Sequence, residues 1–388
     1  MTELKDRIEK FAEVANDGCL FERISRRVLD DKEILELMAK VPENQPPAPM
    51  VLTAVHYMLL RGKRHPLRQY FVEHPREVDD DEMYREFRDF CLEYESEILD
   101  VIDGRYVQYN SVRRSTGLYP CFGYVEKLTG GKPTAYIEIG CSTGVNLLWN
   151  RYRYCYERSH SDEDPNTGNN VDTVSETSTD VTHGITADDN PDTFRDGAGE
   201  VDSTVIGNPE GVITVESKAR NEVPVPREHP EVYSIQGIDI NPIDLYDDTE
   251  VLWVLGNYSP DMVEDAEMYR EAVELAREDP PVVHEGDAVE KLPEVVEEIP
   301  DDVPICIYNT VAVYEFPEES KKQLNSYVSG LMDSRDDVHW LYGEEIETDP
   351  VYGDEGFTIE LRNSSGTEDL VLFHGDGYWV RWLDPPEP

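Results

Sequence analysis

Tyr136-Ile-Glu-Ile-Gly-Cys-Ser-Thr-Gly144, running on into Val145-Asn-Leu-Leu-Trp149, is the stretch whose reading decides the fold. Its apolar first half has the composition of a buried strand. Gly140 and Gly144 allow a tight turn and a close backbone approach, and the apolar run after Gly144 predicts a helix whose first amides face that turn. Strand, glycine turn and helix N-terminus together would welcome a ligand carboxylate. The same turn can also serve packing alone, as glycine turns do in many α/β proteins.

Downstream of this stretch, short apolar segments alternate with helical ones. Thr134 to Ile139, Tyr233 to Ile240, Pro281 to Glu285, Val303 to Tyr308 and Asp337 to Tyr342 are the expected strands. This alternation predicts a mostly parallel sheet with crossover helices. Phe357 to Arg362 and Asp369 to His374 have no helix between them and are expected to close the sheet as an antiparallel hairpin. A dinucleotide dehydrogenase would continue with another parallel strand.

Upstream, apolar residues recur at helical spacing: Leu4, Ile8 and Phe11, then Ile24, Val28 and Leu29, then Ile34, Leu35 and Met38. Pro42 to Pro49 breaks the pattern. Met50 to Leu60 is apolar on most sides, as a helix buried between neighbours would be, and a further helix from Glu82 to Ile102 presents Phe87, Phe90, Cys91, Tyr94 and Ile98 on one face. The expected division is an all-helical region over 1–117 and an α/β domain over 118–388. The domain is interrupted at about 159–211 by an insertion rich in Asp, Thr, Ser, Asn and Gly, read as a flexible solvated loop or a lid. A hairpin near Val212 to Val225 is expected to follow it.

Eighty-three acidic residues against 35 basic ones leave a net charge of −48 on 388 residues. That field repels nucleic-acid phosphates and anionic lipid, so neither is an expected partner. The acids are dispersed rather than gathered in one tail, which points to hydration in a salty cytoplasm, a halophilic adaptation. The six cysteines form no CxxC pair and no His/Cys cluster at metal-ligand spacing, so reduced thiols and no metal are expected. The first residues form a charged amphipathic segment, and no apolar run spans a bilayer; a cytoplasmic protein with no membrane contact is expected.

The motif Glu138, Gly140, Ser142, Gly144 resembles the first motif of class I S-adenosylmethionine-dependent methyltransferases, with Ser142 in place of the middle glycine. Two later motifs fit the same reading. Gly237-Ile-Asp239-Ile-Asn241-Pro242 ends the next strand with a carboxylate placed for two ribose hydroxyls, although the usual gap of about 20 residues is far exceeded. Asp239 has a rival reading as a helix N-cap or an Asx turn. In His284-Glu-Gly-Asp287-Ala288, followed by Leu292-Pro293, Asp287 matches the residue beside the adenine amine.

Read together with Ala54-Val-His-Tyr-Met-Leu-Leu60, Gln108-Tyr-Asn110, Arg114, Asn146-Leu-Leu-Trp-Asn-Arg-Tyr-Arg-Tyr154 and His339-Trp340, these motifs resemble an uncharacterised bacterial and archaeal family, domain of unknown function 2332. The resemblance covers nearly the whole chain outside the insertion and brings no substrate with it. It implies a helical region packed on a Rossmann-like methyltransferase fold. On that frame the S-adenosylmethionine site takes Glu138, Gly140, Ser142, Gly144, Asn146, Asp239, Asn241, Asp287, Ala288, Gln108, Asn110 and Arg114. Arg151, Tyr152 and Tyr154 are candidate substrate contacts. Asn309, Tyr314, Glu344 and His56 are candidate catalytic residues, with Glu344 or His56 the base if the acceptor needs one. His56 also reads as a satisfied core histidine. No Asn-Pro-Pro-Tyr follows the fourth strand, so Asn309 does not mark an enzyme that methylates nucleic-acid amines. The expected function is methyl transfer to a small molecule. The alternatives are a protein that binds an adenosyl ligand without chemistry and an NAD-dependent oxidoreductase, whose glycine spacing differs.

Overall fold

Side-chain capping sets some of the helix starts near the N-terminus. Asp31 accepts the amides of Glu33 and Ile34, and Asp79 those of Asp81 and Glu82, so orphan donors of the first turns are satisfied. The computed structural model describes residues 2–15, 18–74, 78–159, 201–226, 229–383 and 385. Among the described residues eight α-helices precede the first strand: α1 (Thr2–Val14), α2 (Leu20–Val28), α3 (Lys32–Met38), α4 (Pro47–Leu60), α5 (Arg68–Phe71), α6 (Asp80–Glu93), α7 (Glu95–Ile102) and α8 (Ser115–Leu128). Then come β1 (Thr134–Ile139), β2 (Arg153–Ser159), β3 (Val201–Gly207), β4 (Thr214–Ala219), β5 (Val232–Asp239), α9 (Asp248–Gly256) and α10 (Val263–Glu278). The rest is β6 (Val282–Glu285), α11 (Ala288–Glu297), β7 (Ile305–Thr310), α12 (Glu318–Ser334), β8 (Val338–Thr348), β9 (Glu355–Asn363), β10 (Gly366–Phe373) and β11 (Trp379–Trp382). The architecture is mixed α/β, and no helix among the described residues is long and apolar enough to cross a membrane.

Two compact units interleave along the chain. The first holds residues 1–112, 137–148 and 235–299; the second holds 113–136, 149–234 and 300–388. In the first unit Ile24, Leu52, Val55, Phe87 and Phe90 from the N-terminal helices share one core with Trp253 of α9. Trp253 meets Tyr57 edge to face, with ring centroids 5.7 Å apart, and Gly256 lets α9 approach the backbone of α4 at Thr53. The N-terminal helices therefore complete their core with a helix that follows β5, and the 117/118 division expected from sequence lies inside α8.

In the same unit β5 and β6 pair in parallel, Gln236 to Asp239 against Val282 to Glu285, and Gly140 at the end of β1 donates to the Ile238 carbonyl at 2.8 Å. In the second unit the strands run β3-β2-β4-β11-β10-β9-β8-β7. Pairing is parallel at β7/β8, β4/β11 and β2/β4, and antiparallel at β2/β3, β8/β9, β9/β10 and β10/β11. The expected terminal hairpin is present as β9 and β10.

Three local expectations change. The run after Gly144 forms a 3-10 helix, Val145–Arg151, and not an α-helix, because β2 begins at Arg153 and leaves no room for one. Val201–Gly207, expected inside the unstructured insertion, is β3, paired with β2 through seven residues; residues 160–200 lie outside the described part. The hairpin expected near Val212 to Val225 is a single strand, β4, lying parallel to β2.

Candidate functional site

The polar side chains of interest fall in two places, one in each unit. In the first unit the turn after β1 takes three left-handed residues, Gly140 (φ 78°), Ser142 (φ 51°) and Gly144 (φ 73°). For Ser142 this conformation costs about 1–2 kcal/mol. It is held because the Ser142 amide donates to Asp239 Oδ2 at 2.7 Å. A Cβ on Gly144 would come 2.9 Å from Pro281 Cγ, so glycine is required there by packing as well as by its φ angle. Gly237 of β5 is a further requirement that motif reading missed: a Cβ there would lie 2.5 Å from Cys141 Sγ.

Asp239 closes the turn from the other side. Its Oδ1 accepts the Asn241 amide at 2.8 Å, the Asx turn foreseen as the rival reading, while Oδ2 holds Ser142. Burial pushes its pKa up, partly offset by these two N–H donors. Two of the roughly four lone-pair sites of the carboxylate are thereby taken. The Asp239 carbonyl also accepts the Gly286 amide at 2.9 Å, tying the end of β6 to the same corner. One residue on, Asp287 caps α11 by accepting the Val289 amide at 2.8 Å, and Ala288 is buried in the first turn of that helix.

Gln108 and Asn110 are brought to this corner from the segment after α7. Gln108 exchanges two hydrogen bonds with Asn241, donating to its carbonyl at 2.7 Å and accepting from its Nδ2 at 3.1 Å. Asn110 Nδ2 donates to the Cys141 carbonyl (2.9 Å) and to Thr143 Oγ1 (3.2 Å), while its Oδ1 accepts from Asn146 Nδ2 (2.9 Å). Asn146, on the 3-10 helix, is thus locked by a residue far upstream. Ser142 Oγ and Asn146 Oδ1 are buried without a hydrogen-bond partner, and each such atom costs about 1–3 kcal/mol unless something satisfies it. Glu138 is buried in β1. His56 lies in α4 with Nδ1 3.1 Å from the Tyr258 carbonyl and its ring edge-on to Phe21 and Phe71. Burial drives its pKa down to about 4, so it is a neutral core histidine at pH 7.

In the second unit the residues after β7 form another strained turn. Val311 has φ 52°, a conformation that a β-branched side chain strongly resists. Glu344 holds it. The β8/β9 register slips by one residue between Tyr342 and Glu345, a bulge that aims the Glu344 carboxylate inward. That carboxylate accepts Asn309 Nδ2 (2.6 Å) and the amides of Ala312 (3.0 Å), Val313 (3.1 Å) and Tyr314 (3.1 Å). Trp340 Nε1 donates to Asn309 Oδ1 at 2.7 Å and fixes the amide's orientation. Glu344 accepts from four donors and so holds the turn after β7. Tyr314 stands exposed on that turn, its hydroxyl donating to Glu315. Arg114 is buried, with Nε donating to the Gly375 carbonyl at 2.7 Å.

The two candidate substrate tyrosines after the motif do not face solvent. Tyr152 and Tyr154 are fully buried; Tyr154 stacks on Tyr119 with centroids 4.2 Å apart and donates to the Trp149 carbonyl at 2.8 Å. They pack the interior because β2 begins at once after the 3-10 helix and turns this run inward; Arg151 is half-buried beside them.

A family of uncharacterized proteins conserved in bacteria (DUF2332) matches residues 5–382. No curated protein and no solved structure matches the chain.

Proposed function

The chain belongs to that bacterial family, and we propose that its first unit binds S-adenosylmethionine at the Gly140–Gly144 turn and that the protein methylates a small molecule. One observation carries the reading: the glycine turn and Asp239, remote in sequence, are joined by the Ser142 amide, and the corner is shared with the strand that ends before Asp287. The residues fit such a ligand. Asp239 keeps lone pairs for ribose hydroxyls, and Asp287 keeps acceptor capacity for an adenine amine. Ser142 Oγ and Asn146 Oδ1 are unpaired polar atoms suited to the ammonium end of the methionine moiety.

The cofactor supplies an electrophilic methyl on a sulfonium, which leaves as a neutral thioether. The chain's task is then orientation: the Asn110 and Gln108 hydrogen bonds hold the turn rigid, and such positioning is a large part of the rate gain in displacement chemistry. The net charge of −48 argues for a small acceptor rather than a nucleic acid, and we read it also as adaptation to high salt in a cytoplasm. A second reading, an adenosyl-ligand binding protein without chemistry, is favoured by the saturated Glu344 carboxylate and by the buried, neutral His56.

Calorimetric titration of S-adenosylhomocysteine and NAD side by side in molar potassium chloride tests the assignment. S-adenosylhomocysteine is expected to bind and, at 100 times its Kd, to stabilise the fold by about 2.7 kcal/mol. Absence of heat and of any melting shift at millimolar ligand would refute it. Turnover assays on small acceptors then separate the two readings.

A further inference from the structure

The densest basic stretch of this acidic chain is Arg61-Gly-Lys-Arg-His-Pro-Leu-Arg-Gln69, which carries four Arg or Lys residues and no carboxylate. It joins α4 to α5 in the first unit, where Arg64, His65, Pro66, Arg68, Gln69 and Glu73 line an open depression. Two of the basic residues are spent elsewhere: Lys63 pairs with Glu97 at 2.6 Å and lies over the Tyr94 ring, and Arg61 donates to the Tyr57 hydroxyl. Arg64, on the lining of the depression, is not. Arg64 is exposed and has no ion pair or hydrogen bond among the described residues. That is notable where Arg23, Arg88, Arg277 and Arg362 each hold a carboxylate.

The other donors are anchored. Arg68 Nη1 donates to the Leu59 carbonyl at 2.6 Å, which orients the guanidinium and leaves its remaining N–H groups for another acceptor. His65 accepts the Leu67 amide on Nδ1 and sets its ring edge-on to Phe90, so Nε2 carries the proton and is a donor. Gln69 adds an exposed amide, and Glu73 is the single carboxylate on the lining.

We propose that this depression is a binding site for a small phosphate group, gripped by Arg64, Arg68, His65 and Gln69. Paired guanidinium forks match the geometry of a tetrahedral oxyanion, and two held side chains lower the entropy lost on binding. A charge of −48 repels anions in general, so a local cluster in which Arg64 and Arg68 outnumber the single carboxylate, Glu73, has to act at short range. This site is separate from the Gly140–Gly144 turn and does not depend on the reading of that turn.

The test is titration of the full chain with inorganic phosphate, followed by calorimetry and phosphorus NMR at constant molar potassium chloride. Saturable binding is expected, weakened at least tenfold in Arg64→Glu, with the melting temperature of that exposed-site variant unchanged. Lys63→Gln, whose ammonium is committed to Glu97, should bind as the parent does. A phosphate monoester such as ribose 5-phosphate binding more tightly than inorganic phosphate would assign the site to a phosphorylated metabolite; equal affinities would assign it to free phosphate. Both support the proposal. Phosphate heats no different from those of added chloride, or unchanged affinity in Arg64→Glu, would overturn it. So would a dimer that dissociates on Arg64→Glu without any phosphate uptake, since the cluster would then be a contact between copies.

Discussion

Glu344→Ala removes the acceptor of four donors at once: Asn309 Nδ2 and the amides of Ala312, Val313 and Tyr314. A buried donor stripped of its partner costs about 1–3 kcal/mol, and with water entering the space the side chain leaves the lower end applies, about 4 kcal/mol for the four donors together. Water reaches part of this turn, because Tyr314 is exposed, so the lower end applies to its amide. Against that loss, the left-handed Val311 is freed to relax and returns about 1–2 kcal/mol. The expected net destabilisation is about 3 kcal/mol. Glu344→Gln keeps one carbonyl oxygen but turns an NH2 group toward the amides, and should lose about 2 kcal/mol. Urea unfolding in molar potassium chloride, followed by circular dichroism, reads both values. Val311→Asn, which tolerates a positive φ angle, should cost clearly less in the parent than in the Glu344→Ala background, where the strain it relieves has already gone. Should Glu344→Ala unfold within 0.5 kcal/mol of the parent, as a surface substitution does, the carboxylate does not hold the turn and the catalytic-base reading revives.

Asp239→Ala should weaken S-adenosylhomocysteine at least tenfold through loss of charge-assisted bonds worth about 1.5–3 kcal/mol; the lost Asx turn and Ser142 anchor should also lower stability by about 1 kcal/mol. Lost stability with unchanged affinity per folded molecule, measured on one sample, would remove Asp239 from the ligand site. His56 and His339 are held near pKa 4 by burial, against an ordinary value of 6.5. Each is neutral in the fold, so its share of stability is present above pH 6.5 and is lost as the pH falls toward 4, up to about 3 kcal/mol per group. Replacing both by leucine should flatten the melting temperature between pH 7 and pH 4.5, and an unchanged slope would contradict the assignment. Removing salt should lower the unfolding midpoint, because repulsion among excess carboxylates is then unscreened; a midpoint flat from molar to low potassium chloride would dismiss the halophilic reading.

Local chemistry made much of the fold legible. Short apolar segments located β1 to the residue and the strands β5, β6 and β7 to within two residues at either end; β1 and β7 are buried along their whole length, and such a strand needs little beyond its own composition. The helix and hairpin signals fall within three residues of the observed ends of α4, β9 and β10. Gln108 and Asn110 were legible only as polar residues with no local task; that Asn110 holds the Cys141 carbonyl of the glycine turn and Gln108 pairs with Asn241 was decided in space.

Other features depended on residues far apart in the chain. Asn146 meets Asn110, and β2 follows at once, so a run with helical composition becomes a 3-10 helix and draws Tyr152 and Tyr154 inside. A one-residue slip between β8 and β9 decides whether Glu344 faces solvent or the turn after β7, and no local propensity records that register. Trp253 joins the core of the N-terminal helices because α4 is apolar on nearly every side and needs a second partner, which only the path of the chain after β5 provides. Sequence by itself determined the strands β1, β5, β6 and β7, the terminal hairpin, the glycine turn and the net negative charge, all properties of neighbouring residues. Tertiary structure alone decided which polar groups were already satisfied, because a hydrogen-bond partner is chosen by proximity in space.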